Sequence, residues 1–271
     1  MKLTKIIQSL EKWAPPILQE SYDNSGLLIG SEKNIIKGCI ISLDCTEDVI
    51  EEAIEKGCNL VISHHPLIFN SINSINKESW IGRTIIKAIK NDINIYAIHT
   101  NLDNIISGVN KKISDLLRLK NVSILNNFIP KEGTENQIKK LNLKNKIGSG
   151  IIGNRNITLK NLLRELSEKF NKNTIKHTKE INKEISRIAI CGGSGSFLIN
   201  KALDKNADVL ITSDLKYHDY FMSENKIVLI DIGHYESEQY TKDLIFEYLN
   251  KKLTNIALHL SNNDINPVKY F

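Results

Sequence analysis

Four of the seven histidines in this chain follow apolar runs, in company with residue types that can bind metals. His64 and His65 are adjacent and close the apolar run Leu60-Val61-Ile62-Ser63. His99 opens the segment His99-Thr100-Asn101-Leu102-Asp103, directly after the apolar run from Ile93 to Ile98. His234 and Glu238 follow the run from Ile227 to Ile232 and are four residues apart, on one face if a helix begins there. Glu236, two residues from His234, points to a different face. Imidazole and carboxylate donors together suit zinc, manganese, iron, nickel or cobalt. Five or six of them exceed the needs of one closed tetrahedral zinc site. They fit two metals that share a bridging carboxylate and keep positions open for water and substrate. An isolated His-His pair or a strand-end aspartate more often serves structure, the latter by capping a turn. What points to a metal is four histidines grouped after the same edge of expected strands.

The surrounding pattern supplies that edge. Met1 to Glu20 reads as a helix with Leu3, Ile6, Ile7, Leu10 and Trp13 on one face, broken at Pro15-Pro16. A turn-rich stretch, Asp23-Asn24-Ser25-Gly26, follows. Then come a buried strand over Gly38 to Leu43, a helix over Thr46 to Lys56, a strand over Asn59 to Ser63, a helix around Ile81 to Lys90 and a strand over Ile93 to Ile98. Strand–helix–strand–helix–strand is the signature of a parallel sheet, whose ligands bind beyond the carboxyl ends of its strands. The pattern repeats at a constant offset: Lys37 to Ser63 lies over Ser186 to Thr212, with Leu60-Val61-Ile62-Ser63 meeting Val209-Leu210-Ile211-Thr212. Two related βαβ units are expected. Between them a helix is expected near Leu159 to Phe170, flanked by lysine-rich stretches that read as linkers or exposed hairpins.

Bulk properties narrow the class. A charged fraction of 25% with 41% apolar residues is ordinary for a folded globular chain. No apolar run approaches the roughly 18 residues of a membrane span, and the N-terminus lacks the apolar core of an export signal. A cytoplasmic location is therefore expected. Cys39, Cys45, Cys58 and Cys191 form no C-x-x-C pair and read as buried, reduced thiols. The net charge of +5 is uneven: Lys131 to Ile190 holds 14 Lys and Arg against 6 Asp and Glu. Such a segment attracts polyanions, yet no recognition motif accompanies it, and lysine fills solvated faces throughout the chain. Cys191-Gly192-Gly193-Ser194-Gly195-Ser196 joins a strand to a helix; it is neither a Walker A loop nor G-x-G-x-x-G, and a tight turn is expected rather than a phosphate cradle. Lys216, Tyr217, His218 and Asp219 follow another strand end, where Lys216 and His218 are candidates for substrate contact or proton transfer. His177 and His259 read as solvated.

Five motifs in order carry a family resemblance. Asp23-Asn24-Ser25-Gly26-Leu27, Ser63-His64-His65-Pro66-Leu67-Ile68-Phe69, His99-Thr100-Asn101-Leu102-Asp103, Ser213-Asp214-Leu215-Lys216-Tyr217-His218-Asp219 and Gly233-His234-Tyr235-Glu236-Ser237-Glu238 resemble the GTP cyclohydrolase I type 2 homologs, the NIF-three-like dinuclear metal-centre family. The resemblance runs nearly end to end, and the length matches the shorter members. It implies two α/β domains with mainly parallel strands, the second inserted in the first, assembled as a toroidal homohexamer. Residues 1–128 plus 227–271 would form the metal-binding domain and residues 129–226 the inserted one. It implies two divalent metal ions per chain on His64, His65, Asp103, His234 and Glu238, with Glu238 bridging and His99 in or just behind the ligand set. It further implies a metal-dependent hydrolase acting on a nucleotide or a related substrate. Two other readings stand beside it: a non-catalytic metal-binding scaffold, and a ring that encircles nucleic acid through the basic middle segment.

Overall fold

Apolar runs of four or five residues can be buried on both faces only inside a sheet covered on both sides, and several runs here meet that condition. The computed structural model describes all residues except 131, 132, 144, 145, 173, 182, 183 and 271, so Lys131, Lys144 and Lys183 of the basic segment lie outside the described residues. Its strands are β1 (Gly26–Ile29), β2 (Gly38–Ser42), β3 (Leu60–Ser63), β4 (Asn94–Ala97), β5 (Lys120–Asn127), β6 (Gly148–Ile157), β7 (Lys176–His177), β8 (Ile185–Ser194), β9 (Val209–Ser213), β10 (Val228–Asp231) and β11 (Ala257–Leu260). Every residue of β2, β3, β4, β9 and β10 is buried.

The chain divides into two compact units, Met1–Leu102 with Thr241–Phe271, and Asp103–Tyr240. In the first, the sheet order is β1-β4-β3-β2-β11. β4, β3, β2 and β11 run parallel, and β1 pairs antiparallel with β4. The helix Glu47–Glu55 crosses over between β2 and β3, started by Thr46, whose hydroxyl oxygen accepts from the Val49 amide at 3.3 Å. Val49, Ile50 and Ala53 of that helix pack with Ile40, Val61, Ile85 and Ile95. The N-terminal helix, Leu3–Trp13, buries Leu3, Ile6, Ile7 and Leu10 as its periodicity requires. Trp13 stacks on Tyr248 with ring centroids 4.2 Å apart.

In the second unit the order is β5-β6-β8-β9-β10-β7. Its centre, β8-β9-β10, is parallel, while β5, β6 and β7 pair antiparallel. The sheet is thus mixed, not mainly parallel. The antiparallel strands arise where the sequence reads as linkers or hairpins: β5 is polar along much of its length and β6 is rich in glycine, so neither gives an apolar run. The expected helix is present at Leu159–Phe170, capped by Thr158 and ended by Asn171 in the left-handed region. Both expected repeats are strand–helix–strand units with parallel strands, β2 to β3 and β8 to β9, but β8 continues through Gly192 and Gly193 where β2 stops.

The two compact units divide the chain at other points than domains over 1–128 plus 227–271 and 129–226 would. A second domain over 129–226 leaves β5, β10 and the His234–Glu238 helix in the first. Instead β5 pairs with β6, and β10 lies parallel to β9 in register with it, so these segments, with Asp103, belong to the second unit. Among the described residues no helix is long and apolar enough to cross a membrane.

One buried carboxylate ties the C-terminal segment to the first sheet. Glu52 accepts from Lys56 Nζ at 2.5 Å, Ser261 Oγ at 2.6 Å and the amides of Asn262 and Asn263 at 3.0 and 3.2 Å. Burial works to raise its pKa, and these donors overcome that and hold it at about 2, below the ordinary 4.5. A folded-state value below the unfolded one adds stability that is full above pH 4.5 and lost as pH falls through about 2. Glu52→Gln is expected to cost about 1–3 kcal/mol at neutral pH, and denaturant unfolding should find the gap to the wild type closing as the pH is lowered through that window. A gap independent of pH would contradict the assignment.

Candidate metal-donor sites

In the first unit, β3 and β4 deliver three imidazoles beyond their carboxyl ends. One ring nitrogen from each of His64, His65 and His99 lies within 4.8 Å of the others. Each ring is held at Nδ1. His64, fully buried, donates to the Ile98 carbonyl at 2.8 Å. His65 is paired with Asp44 at 2.9 Å and His99 with Asp23 at 2.8 Å. A carbonyl or carboxylate oxygen at Nδ1 selects the tautomer that carries its proton there, which leaves the Nε2 lone pair as the ligand atom.

Asp23 is itself held. Its other oxygen accepts from the Thr100 amide at 3.1 Å, the Thr100 hydroxyl at 2.5 Å and Ser25 Oγ at 2.7 Å. Burial of this carboxyl would raise its pKa, but His99 and the two hydroxyls keep it well below the usual carboxylate range. The turn-rich stretch that contains Asp23 therefore positions His99.

The second unit holds a histidine and carboxylates of its own. His234 and Glu238 do share a helix face, with His234 Nε2 3.1 Å from Glu238 Oε2. His234 Nδ1 lies 2.6 Å from Asp214 Oδ2, which also accepts from Ser194. Burial opposes charge on this imidazole, yet two flanking carboxylates raise its pKa to about 11. A carboxylate oxygen of Asp103 lies within 4.8 Å of one of Glu238. Asn110 braces that approach: its amide nitrogen donates to the Asp103 carbonyl at 3.2 Å, and its oxygen accepts from the Gly192 amide at 2.8 Å. Cys191 is buried here, and burial, with Asp103 and Glu238 nearby, pushes its thiol pKa up. The four cysteines are all buried and unbridged.

The Gly192-Gly193 sequence turns out to be a matter of space. Gly193 has φ +64, and a Cβ there would fall 2.3 Å from Glu238 Oε1. Glu236 does not sit idle on the opposite face: it forms a buried ion pair with Lys172 at 2.8 Å. Lys216 and His218 are exposed on or beside the short helical turn Tyr217–Ser223, where the His218 ring meets Tyr217 edge-on and lies tilted beside Phe221. Neither joins a donor group among the described residues. Sequence reasoning missed Asp44, Asp214 and Asp23 as residues that aim the histidines. The signal was available for two of them, since Asp44 and Asp214 come within two residues of the ends of β2 and β9.

Each unit is thus an α/β fold that gathers side chains able to hold a metal ion near the carboxyl ends of parallel strands. The chain belongs to the Duf34/NIF3 (NGG1p interacting factor 3) family, whose model matches residues 1–267. It is 33% identical to a GTP cyclohydrolase 1 type 2 homolog of Clostridium acetobutylicum, over 100% of this chain and 99% of that one. It is 29% identical to the Staphylococcus aureus protein of the same name, in an alignment of 366 positions that covers both chains in full. This chain, with 271 residues, is the shorter form. Among solved structures, the Staphylococcus aureus hypothetical protein SA1388 superposes with a TM-score of 0.87 at 34% identity, covering 100% of this chain and 99% of that one. Reduced HcgD from Methanocaldococcus jannaschii gives 0.78 at 25%, covering 97% and 98%.

Gly193 and Gly57 separate backbone strain from steric exclusion. Both have φ near +65, but a Cβ on Gly57 meets nothing within 4 Å. Gly57→Ala is expected to cost about 1 kcal/mol, the backbone effect alone, and Gly193→Ala at least about 2 kcal/mol, because Glu238 must also move. Denaturant unfolding of both variants reads the difference; equal costs would mean that Gly193 does not make room for the carboxylate.

Proposed function

We propose that the donors of both units serve one dinuclear centre, with two divalent metal ions per chain held by His64, His65, Asp103, His234 and Glu238. Glu238 is the bridging ligand in this reading, and His99 stands in or just behind the ligand set. The observation that carries it is the Nδ1 anchoring of all four imidazoles by oxygen acceptors, the arrangement that orients histidine toward a metal. The donor chemistry supports it from a second side. Three imidazoles offer Nε2 lone pairs, and two carboxylates, Glu238 buried and Asp103 half-buried, offer negative charge, so the sets complement each other around dications. Family membership supports the joint assignment. Zinc, iron, manganese, nickel and cobalt all suit these donors.

The reading extends to a metal-dependent hydrolase of the GTP cyclohydrolase I type 2 kind, acting on a nucleotide or related substrate. Bound divalent ions supply Lewis acidity that makes water nucleophilic near neutral pH. The chain's own part is to fix the imidazoles through Asp23, Asp44 and Asp214, and to keep Glu238 in the space that Gly193 leaves. A toroidal homohexamer accompanies the proposal, on the strength of the family resemblance.

One observation favours a non-catalytic, metal-holding role. Lys216 and His218, the residues suited to proton transfer, are exposed and join no donor group among the described residues. Steady turnover of GTP by metal-loaded protein supports the enzyme; metal uptake without turnover supports the scaffold.

Elemental analysis is expected to find about two divalent metals per chain, with His65→Ala or Asp103→Ala losing at least one. Glu238→Gln should lower occupancy toward one and abolish hydrolysis. Glu236→Gln is unsuited as the silent control, since it breaks the buried pair with Lys172; exposed Glu55→Gln takes that place and should retain both metals. Protein purified without chelator that neither carries nor takes up metal would refute the centre.

A further inference from the structure

Arginine is scarce in this chain, five of 36 basic residues, yet three of the five line one hollow of about 330 Å³ in the second unit. Arg118 precedes β5, Arg155 lies on β6, and Arg164 lies on the helix Leu159–Phe170, which also brings Lys169, Glu165 and Glu168. Asn154 of β6 is in register with Arg187, near the start of β8. The hollow therefore sits at the opposite edge of this sheet from Gly193 and Asp214, and is separate from the unit's metal donors.

The charges in the hollow do not cancel. Arg155 donates to Glu165 at 2.6 Å and to the Leu117 carbonyl at 2.7 Å, and Lys169 shares Glu165 at 3.6 Å. Arg118 and Arg164 are exposed and make no side-chain hydrogen bond or ion pair among the described residues. Four cations thus face two carboxylates. Solvated basic surface in this chain is built from lysine, so arginine concentrated in one concavity marks a place where the planar guanidinium fork matters, and that fork matches phosphate oxygens in pairs.

We infer that this hollow binds a multiply charged phosphate anion, engaged by the forks of Arg118 and Arg164 while Arg155 and Lys169 stay anchored on Glu165. The two uncompensated positive charges call for an anion carrying at least that much charge, which excludes simple carboxylates. The volume exceeds that of orthophosphate and suits a polyphosphate, free or as the tail of a nucleotide. The site accounts for part of the charge excess in residues 131–190, which the metal centre leaves unused.

The test is calorimetric titration of the full-length, metal-free protein with inorganic tripolyphosphate. Metal-free protein excludes chelation at the donor sites, so the outcome is independent of the dinuclear reading. Saturable binding is expected. Arg118→Ala with Arg164→Ala should weaken it by at least about tenfold, and the paired Arg→Lys variant, which keeps the charge and loses the forks, by several-fold. Lys33→Ala with Lys251→Ala removes the same charge from exposed sites elsewhere and should bind as the wild type does. GTP tests the source: affinity at least equal to that of tripolyphosphate is expected if a nucleotide tail fits the hollow, and guanosine should not bind. Absence of saturable binding, equal losses in the lysine control, full retention by the Arg→Lys pair, or binding of duplex DNA but not tripolyphosphate would each overturn the proposal.

Discussion

An imidazole offers two nitrogens, and which of them can meet a metal is decided by what holds the other. Here Nδ1 of His64, His65, His99 and His234 is held in each case by an oxygen, one from the main chain and three from aspartates. Those oxygens stand at or near strand ends: Ile98 just past β4, Asp44 past β2, Asp214 past β9. Ends of this kind share an edge only when the strands run parallel. Parallel strands in turn require crossover connections, supplied by the helices Glu47–Glu55 and Ile199–Asp204. The αβ architecture of each unit follows from the need to aim side chains across one edge.

The carboxylates impose the opposite demand. An ionised group taken out of water is costly unless donors surround it. Asp23 is surrounded by His99, Thr100 and Ser25, Glu52 by the segment after β11, and Glu236 by Lys172. Glu238 is buried with His234 at 3.1 Å and with a space cut for it at Gly193. The Lys172–Glu236 pair anchors the short helix that carries both His234 and Glu238. Two residues that look peripheral by spacing therefore support the segment on which two donors stand.

Legibility in the sequence followed apolarity and periodicity. The buried parallel strands, the helix Leu159–Phe170 and the placement of four histidines after strand ends could be read because each rests on a run of like residues or a regular interval. β5, β6 and β7 could not: they are largely polar and exposed or broken by glycine, and antiparallel pairing depends on distant partners. The division into units rests on such pairing too, since only its register with β9 places β10 in the second unit. The aspartates that orient the histidines gave a weak signal because single acidic residues after strands also cap turns. Gly193 read as part of a tight turn, whereas it lies within β8, and its clearance for Glu238 depends on a contact 45 residues away in the chain.

The aiming of the imidazoles can be observed without any metal. Long-range proton–nitrogen spectra of the metal-free protein at alkaline pH distinguish the two histidine tautomers directly. His64, His65 and His99 should each carry the proton on Nδ1 and leave Nε2 unprotonated, and Asp44→Asn should disturb His65 alone. Spectra in which these three rings carry their proton on Nε2, or exchange freely between tautomers, would contradict the account.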